Sequence, residues 1–358
     1  MKKIICRNPF FYCDIGLDGN VYACCNKWCN FYSLGNILND DLTEIFHGEK
    51  IQEFIKQFTD QNFKYCRTDI CIGSKKIEES AYPRLFQEYL ANKKREMRLN
   101  FDTSCNLSCI FCRHNFSMAN ENELTSVQKL IDRIKTFLPE IDKNHWVISL
   151  NGQGEVFVSK PYLDLIRHIT ENYKNIKFQI ITNGILCSEE MLKSLNIENR
   201  IQAIEISVHA YTEKTYNKLI KGGKFNILKK NLQYVSELKK QNKINHFQMN
   251  FAINSINYKE MVDFTKWSLQ LEAEPCFLPL LILEPKQREE FDKLNVADKN
   301  HPKYNDFVKI LNELSQYKDN MLMPENFWEM KENEIISSSQ AITNIKKTLA
   351  FEFYKLTL

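Results

Sequence analysis

Thr103-Ser104-Cys105-Asn106-Leu107-Ser108-Cys109-Ile110-Phe111-Cys112 is the stretch that decides how this chain is read. Its cysteines follow a C-x3-C-x2-C spacing and put three thiolates on one short loop. A [4Fe–4S] cluster held wholly by protein takes four thiolates, so three leave one iron open to a further ligand. An aromatic residue, Phe111, stands directly before the last cysteine. The bland alternatives are a zinc site or three unrelated buried thiols, since cysteine is among the most buried residue types. Zinc motifs, however, usually bring paired ligands and a fourth residue at matching spacing. The nearest candidate for that fourth ligand, His114, follows Cys112 too closely for such a pattern.

Composition narrows the setting. A chain of 358 residues, 43% apolar and 26% charged, has ordinary globular composition and allows about two domains. The formal net charge of +3 is small for this length and gives no reason to expect a nucleic-acid or membrane-surface partner. The anomaly is the count of 12 cysteines. Secreted disulfide frameworks belong to short chains behind a signal peptide. Here the opening Met1-Lys2-Lys3-Ile4-Ile5-Cys6-Arg7-Asn8-Pro9 interrupts its apolar run at once, and no stretch approaches a membrane span. The expectation is a cytoplasmic chain whose thiols stay reduced and whose cysteine clusters mean metal.

Cys6, Cys13, Cys24, Cys25, Cys29, Cys66 and Cys71 crowd the amino-terminal region. Between Cys13 and Cys24, Asp18-Gly19 is a two-residue turn signal with apolar residues alternating on either side, so a hairpin is expected. It would bring Cys13 and Cys24 together at its open end. A helical segment over Asp41–Phe58 carries Leu42, Ile45, Phe46, Ile51 and Phe54 on one face and delivers the chain to Cys66 and Cys71. Two thiolates from the hairpin and two from the later turn make a closed cluster site; a four-cysteine zinc module is the alternative.

From Met97 the pattern alternates. Candidate strands are Met97–Phe101, Trp146–Leu150, Lys177–Ile181, Ala203–Val208, Phe247–Ile253 and Phe277–Leu283. Between them lie helical patterns, the best over Leu124–Leu138, with another starting at Asn257, where Glu260 three residues on suggests a capping box. Strands alternating with helices give a parallel α/β sheet. After Glu284 the pattern becomes helical, over Tyr304–Tyr317 and from Glu334 onward.

The cysteine spacing, Phe111 and the motifs at the strand ends together resemble the radical S-adenosylmethionine (SAM) superfamily. The resemblance implies a partial (β/α)6 barrel over 96–284, behind a small cysteine-rich β-hairpin and helix domain over 1–75 and a linker helix over 76–95. Carboxy-terminal helices would occupy 285–358. It implies a SAM-binding [4Fe–4S] cluster on Cys105, Cys109 and Cys112, with Phe111 beside the adenine. Asn151-Gly152-Gln153-Gly154-Glu155 resembles the family's Gly-Gly-Glu element, with Gln153 between the glycines as the departure. Gly152 and Gly154 would let the backbone approach SAM, and Glu155 would accept hydrogen bonds from its ammonium. Asn183, in Thr182-Asn183-Gly184, contacts SAM or marks an ordinary turn. Ser207 is placed for the ribose, and His209 faces the cavity or packs in the core. Lys221 either meets the SAM carboxylate or is an exposed lysine. Asn254 is a candidate for adenine or substrate contact. Cys187 and Cys276 are inert buried thiols or hydrogen-atom donors.

The amino-terminal region resembles the SPASM/twitch auxiliary-cluster domain. Its place before the barrel and the final C-x4-C are departures from that family's usual pattern. The resemblance implies at least one auxiliary [4Fe–4S] cluster, assigned to Cys13, Cys24, Cys66 and Cys71, with Cys6, Cys25 and Cys29 unassigned. The implied activity is reductive cleavage of SAM followed by hydrogen-atom abstraction, with an electron donor such as flavodoxin or ferredoxin. A peptide or protein is the substrate expected. The alternatives are a sugar or other small molecule and, from another class, a non-catalytic iron–sulfur or zinc scaffold.

Overall fold

A computed structural model describes residues 2–24, 32–66, 74–91, 95–112, 116–150, 154–280, 288–328 and 330. The chain opens with β1 (Lys2–Cys6), the short α1 (Asn8–Phe11), β2 (Tyr12–Ile15), β3 (Asn20–Tyr22) and β4 (Ser33–Asn36). Then come α2 (Leu42–His47), α3 (Glu49–Asp60), β5 (Ser74–Glu78) and α4 (Tyr82–Leu90). The segment expected as one helix over Asp41–Phe58 is thus two, parted at Gly48, whose extended backbone (φ −71°, ψ −179°) ends one helix and starts the next. The expected linker helix likewise begins later, because Ser74–Glu78 pairs antiparallel with β1 as a strand.

The alternating half follows as β6 (Glu96–Leu99), β7 (Ser108–Cys109), α5 (Glu121–Lys143), β8 (Val147–Leu150), α6 (Lys160–Asn172) and β9 (Lys177–Thr182). It continues through α7 (Glu189–Ser194), β10 (Ile201–Ser207), α8 (Glu213–Leu219), β11 (Ile220–Lys221), α9 (Phe225–Lys240) and β12 (His246–Ala252). α10 (Met261–Gln270), β13 (Glu274–Leu278), α11 (Arg288–Leu294), α12 (Tyr304–Leu314) and α13 (Glu325–Trp328) close the described chain. The helix expected from Glu334 onward lies outside the described residues.

Strands β6, β8, β9, β10, β12 and β13 pair in sequence order, each parallel to the next. That monotonic order winds the crossovers one way and keeps the helices on one face, as a partial barrel requires. The two faces differ chemically. Toward the helices point Met97, Leu99, Ile148, Leu150, Phe178, Ile180, Ile204, Ile206, Phe247, Met249 and Phe251, all buried. Each contributes about 1.5–3 kcal/mol. The opposite, inner face carries Glu96, Arg98, Ser149, Gln179, Glu205, Gln248, Asn250 and Cys276, because side chains alternate along a strand.

The amino-terminal region is joined to this sheet. β2 lies parallel to β6, pairing Tyr12 with Glu96 and Ile15 with Leu99, and β3 and β4 extend the sheet antiparallel beyond it. The expected hairpin is present, but its loop is Gly16–Gly19, closed by Gly19 N–H donating to the Gly16 carbonyl at 3.0 Å. Gly19 sits at φ +78°, a left-handed conformation that glycine adopts freely. The capping box expected at Asn257 is absent. The Asn257 amide instead donates to the His209 and Ala252 carbonyls, and Glu260 accepts from Tyr211 and Thr212. A true capping box sits at Asn120 and Glu123, opening α5. Among the described residues no helix is long and apolar enough to cross a membrane.

Candidate active site

The cysteine loop lies over the carboxyl ends of the barrel strands. Cys105 is anchored by its N–H to the Ser117 carbonyl at 2.6 Å. Cys109 belongs to β7, which pairs antiparallel with β11 so that Cys109 faces Ile220 and Ser108 faces Lys221. The Cys112 N–H turns back to the Cys109 carbonyl at 3.0 Å. Cys105, Cys109 and Cys112 line one cavity of about 180 Å³ together with Phe111, Gly154, Glu155, Thr182, Asn183, Ser207 and His209. Burial pushes the Cys109 thiol far up, and its neighbours Cys112 and Cys105 add to the shift. A Cys109 thiolate opposed by burial and by two neighbouring sulfurs would be favoured by a bound cation.

Gly154 is required by close approach. A side-chain carbon there would run into the Ser104 carbonyl oxygen and lie 2.8 Å from the Ser104 nitrogen. The next residue fixes the contact, since Glu155 N–H donates to the Ser104 carbonyl at 2.7 Å. The Glu155 side chain, 2% exposed, then accepts from Thr182 Oγ1 at 2.6 Å, Asn183 N–H at 2.7 Å and Phe157 N–H at 3.3 Å. Burial raises its pKa and these donors oppose the rise. A carboxylate offers about four acceptor positions, so most of Glu155 is spent inside the protein. The Asn183 amide donates to Asn106 Oδ1 at 2.9 Å and approaches Cys105 Sγ at 4.0 Å, tying the third barrel strand to the cysteine loop.

Phe111 meets His209 edge-on, with ring centroids 5.0 Å apart. His209 Nδ1 accepts from the Ala252 N–H at 2.9 Å, and burial pushes its pKa down to about 4, so the ring is neutral. It takes a left-handed backbone (φ 62°), unusual for a residue with a side chain.

Two expected site residues stand elsewhere. Lys221 is exposed and outside the cavity lining, because its neighbour along the strand, Ile220, takes the buried side. Asn254 is fully buried, with its amide donating to the Ala252 carbonyl and its oxygen accepting from Ile256 N–H, so it shapes a turn. Gly152 lies outside the described residues. Cys187 is fully buried outside the cavity lining, its thiol raised by burial and by nearby Glu155, whereas Cys276 lies on the inner face beside Asn250, its thiol raised to about 12 by burial and by Glu205. Asn106 and Ser117 were not expected at the site. Asn106 adjoins Cys105 in sequence, but its link to Asn183 spans the fold and leaves no local signal.

The amino-terminal cysteines divide in a way the hairpin pattern did not foresee. The β2–β3 register pairs Asp14 with Tyr22 and Ile15 with Val21, which sets Cys13 against Ala23 and Cys24 against Tyr12. Cys13 therefore points to the face of Ile15, 1% exposed and in the core, with its thiol raised by burial. Cys24 sits on the opposite face, half-buried, where the Asn8 amide donates to its sulfur at 3.3 Å. Cys6 ends β1 opposite Ser74, and Cys66 is half-buried. Cys71, Cys25 and Cys29 lie outside the described residues. Among the described residues no three His, Cys, Asp or Glu side chains close around a single ion.

Comparison with known proteins agrees with this arrangement. Residues 99–267 match the radical SAM superfamily model, and residues 6–71 match the SPASM model, an iron–sulfur cluster-binding domain. Together they span about two thirds of the chain. The chain is 24% identical over 142 residues to the FeMo cofactor biosynthesis protein NifB of Methanocaldococcus infernus, covering 38% of this chain and 46% of that protein. It is 25% identical over 179 residues to the probable GTP 3′,8-cyclase of Methanococcus aeolicus, covering 48% and 56%. The chain thus spans about half the length of these two relatives. Native anSMEcpe with bound AdoMet superposes with a TM-score of 0.43 at 18% identity, covering 64% of this chain and 63% of that one.

A radical SAM domain implies a [4Fe–4S] cluster and SAM, and a SPASM domain implies an auxiliary iron–sulfur cluster. The residues present fit the first of these. Three cysteine sulfurs, soft ligands once deprotonated, line a cavity that also carries a carboxylate, an amide and a hydroxyl. This chain belongs to the radical SAM superfamily, with its SPASM iron–sulfur domain ahead of the barrel.

Proposed function

We propose that the chain reductively cleaves SAM and uses the resulting 5′-deoxyadenosyl radical to remove a hydrogen atom from a peptide or protein substrate. The observation that carries the reading is the Gly154–Glu155 turn, pressed onto the cysteine loop and holding the Thr182–Asn183 turn beside it. A scaffold that only stored metal would need no such pocket next to its thiolates. In this reading Cys105, Cys109 and Cys112 hold the cluster. Glu155 keeps one acceptor position for the SAM ammonium while it positions Asn183. Phe111 and neutral His209 form a wall that excludes water, and the Ser207 hydroxyl meets a hydroxyl of the nucleoside.

For the auxiliary cluster we favour Cys24, Cys66 and Cys71, with Cys6 in place of Cys13, because Cys13 (1% exposed) is the more deeply buried of these two core cysteines. The preference for a peptide or protein rests on the SPASM resemblance. A second reading, a sugar or other small polar substrate, is favoured by the inner face of the barrel. There Gln179 donates to Glu205 at 2.8 Å and Gln248 to Asn250 at 2.6 Å, a row of polar groups below Ser207. Peptide and aminoglycoside panels, each scored by 5′-deoxyadenosine formed above the uncoupled rate, separate the two.

The primary test is iron and sulfide content after anaerobic reconstitution, run beside a dithionite-driven SAM-cleavage assay. Wild type is compared with the Cys105→Ala/Cys109→Ala/Cys112→Ala variant. About eight irons per chain, with 5′-deoxyadenosine formed by wild type alone, supports two clusters and the radical reaction. Zinc without iron, and no cleavage, overturns it in favour of a metal-binding scaffold.

A further inference from the structure

Electrons must reach the cysteine loop from outside, and one surface leads directly to it. β11 pairs with β7 at Cys109, and the Ile110 N–H donates to the Leu219 carbonyl at 3.0 Å, so α8 and β11 form the outer cover of the loop. This cover is strongly basic. From the start of α8 to the turn before α9, residues 213–224 carry four lysines against the single acid Glu213, in a chain whose total net charge is only +3. Lys214, Lys218, Lys221 and Lys224 are all exposed, the first two one turn apart on α8. Among the described residues none of these four is engaged in an ion pair.

The centre of the patch is apolar. Phe116 is 58% exposed and Met118 66% exposed, and they flank Ser117, whose carbonyl holds the Cys105 N–H. The Phe116 ring lies against Gly222, so close that a side-chain carbon at Gly222 would stand 2.8 Å from it. Two exposed apolar side chains flank the residue that holds Cys105, and through Gly222 the Phe116 ring adjoins Lys221 of β11, so an apolar centre lies beside a lysine-bearing strand and helix. Such surfaces suit a partner of opposite charge.

We propose that this face docks an acidic one-electron carrier protein and passes its electron to the cluster through the β11–β7 cover. The step moves one electron: the carrier is oxidised by one, the cluster is reduced by one, and no bond or proton changes hands. Lys221, first considered for the SAM carboxylate, belongs on this account to the docking face. The proposal rests on the reading that Cys105, Cys109 and Cys112 hold a reducible cluster.

The test uses the full reconstituted chain and reduced flavodoxin as the probe. Loss of the cluster's visible absorbance is followed by stopped flow without SAM, across a salt series, with dithionite as the parallel reductant. For wild type the flavodoxin-driven rate falls about tenfold or more from low to high salt. The Lys214→Glu/Lys218→Glu/Lys224→Glu variant loses a similar factor at low salt and no longer responds to salt, while its dithionite-driven rate is unchanged. A Lys→Gln triple at the same positions falls between the two. Wild-type reduction by flavodoxin that ignores salt, or variants as fast as wild type, overturns the proposal. If reversal of charge costs iron loading, the salt series and the Lys→Gln triple still decide. A wild type that dithionite cannot reduce sinks the cluster reading itself, and the dithionite arm tells that failure from a misplaced docking face.

Discussion

Glu155 spends its carboxylate on Thr182, Asn183 and Phe157, so its first task is to hold a turn. Glu155→Gln keeps the shape but replaces one acceptor oxygen by a donor. That sets an amide N–H against the Thr182 hydroxyl or the Asn183 N–H, and a buried donor left unpaired costs about 1–3 kcal/mol. The expected result is a 10- to 100-fold loss of SAM cleavage, about what that penalty gives, with iron content retained. Full activity in this variant would show that the turn tolerates the mismatch. His209 supplies a pH prediction. Its folded pKa of about 4 lies below the ordinary 6.5, so between those values the unfolded chain binds a proton the folded chain does not. Stability therefore falls as pH drops through this window, by about 1.4 kcal/mol per pH unit once well below the ordinary value. Denaturant midpoints at pH 7 and pH 5, measured before cluster loading, should separate for wild type more than for His209→Gln. Identical separations would mean that other groups set the slope. At this scale Cys105, Cys109, Cys112, Phe111, Gly154 and Glu155 were legible because chemistry repeats in their spacing. Asn106, Ser117 and the turn role of Asn254 were not, since each depends on a partner distant in sequence or on a backbone angle.

The hairpin of β2 and β3 shows what a local pattern can and cannot give. Asp18-Gly19 with flanking apolar residues located the turn, yet the loop takes in Gly16–Gly19, and that length sets the register. Register is the whole issue for a cysteine, because sliding one residue moves a side chain to the other face. Cys13 and Cys24 look paired when counted from the turn and lie on opposite faces when the ladder is read. Cys24→Ser is thus expected to lower iron by about four per reconstituted chain, whereas Cys13→Ser leaves it unchanged. Equal iron loss in both would restore Cys13 as a ligand. The capping signals behave alike: Asn120 with Glu123 makes the reciprocal bonds, while Asn257 with Glu260 has the same spacing and makes none, because both side chains are drawn to the β10–α8 connection. Spacing proposes a cap, and tertiary competition for the side chain decides it.

At the scale of the molecule the barrel was legible because each strand pairs with its sequence neighbour, so chain order predicts sheet order. The joining of β2 to β6 was not, since their pairing spans the whole amino-terminal region and periodicity says nothing about partners. That joint makes the two regions depend on each other. Besides the β2–β6 ladder, Arg133 of α5 donates to the Ile37 and Asp40 carbonyls, and Phe46 packs edge-on against Trp146 at 5.3 Å. Removing residues 1–91 would leave β6 with an unpaired edge and uncover Leu130 and Trp146, which lie against Gly19 and Phe46 in the intact fold. Open edges beside apolar surface pair with other chains. The truncated barrel is accordingly expected to aggregate or to elute as large species in size-exclusion chromatography, even with Cys105, Cys109 and Cys112 intact. A monomeric fragment that unfolds cooperatively and loads about four irons would contradict this and make the amino-terminal region a separable domain. If the fragment fails as expected, the amino-terminal region braces the barrel edge whatever else it does.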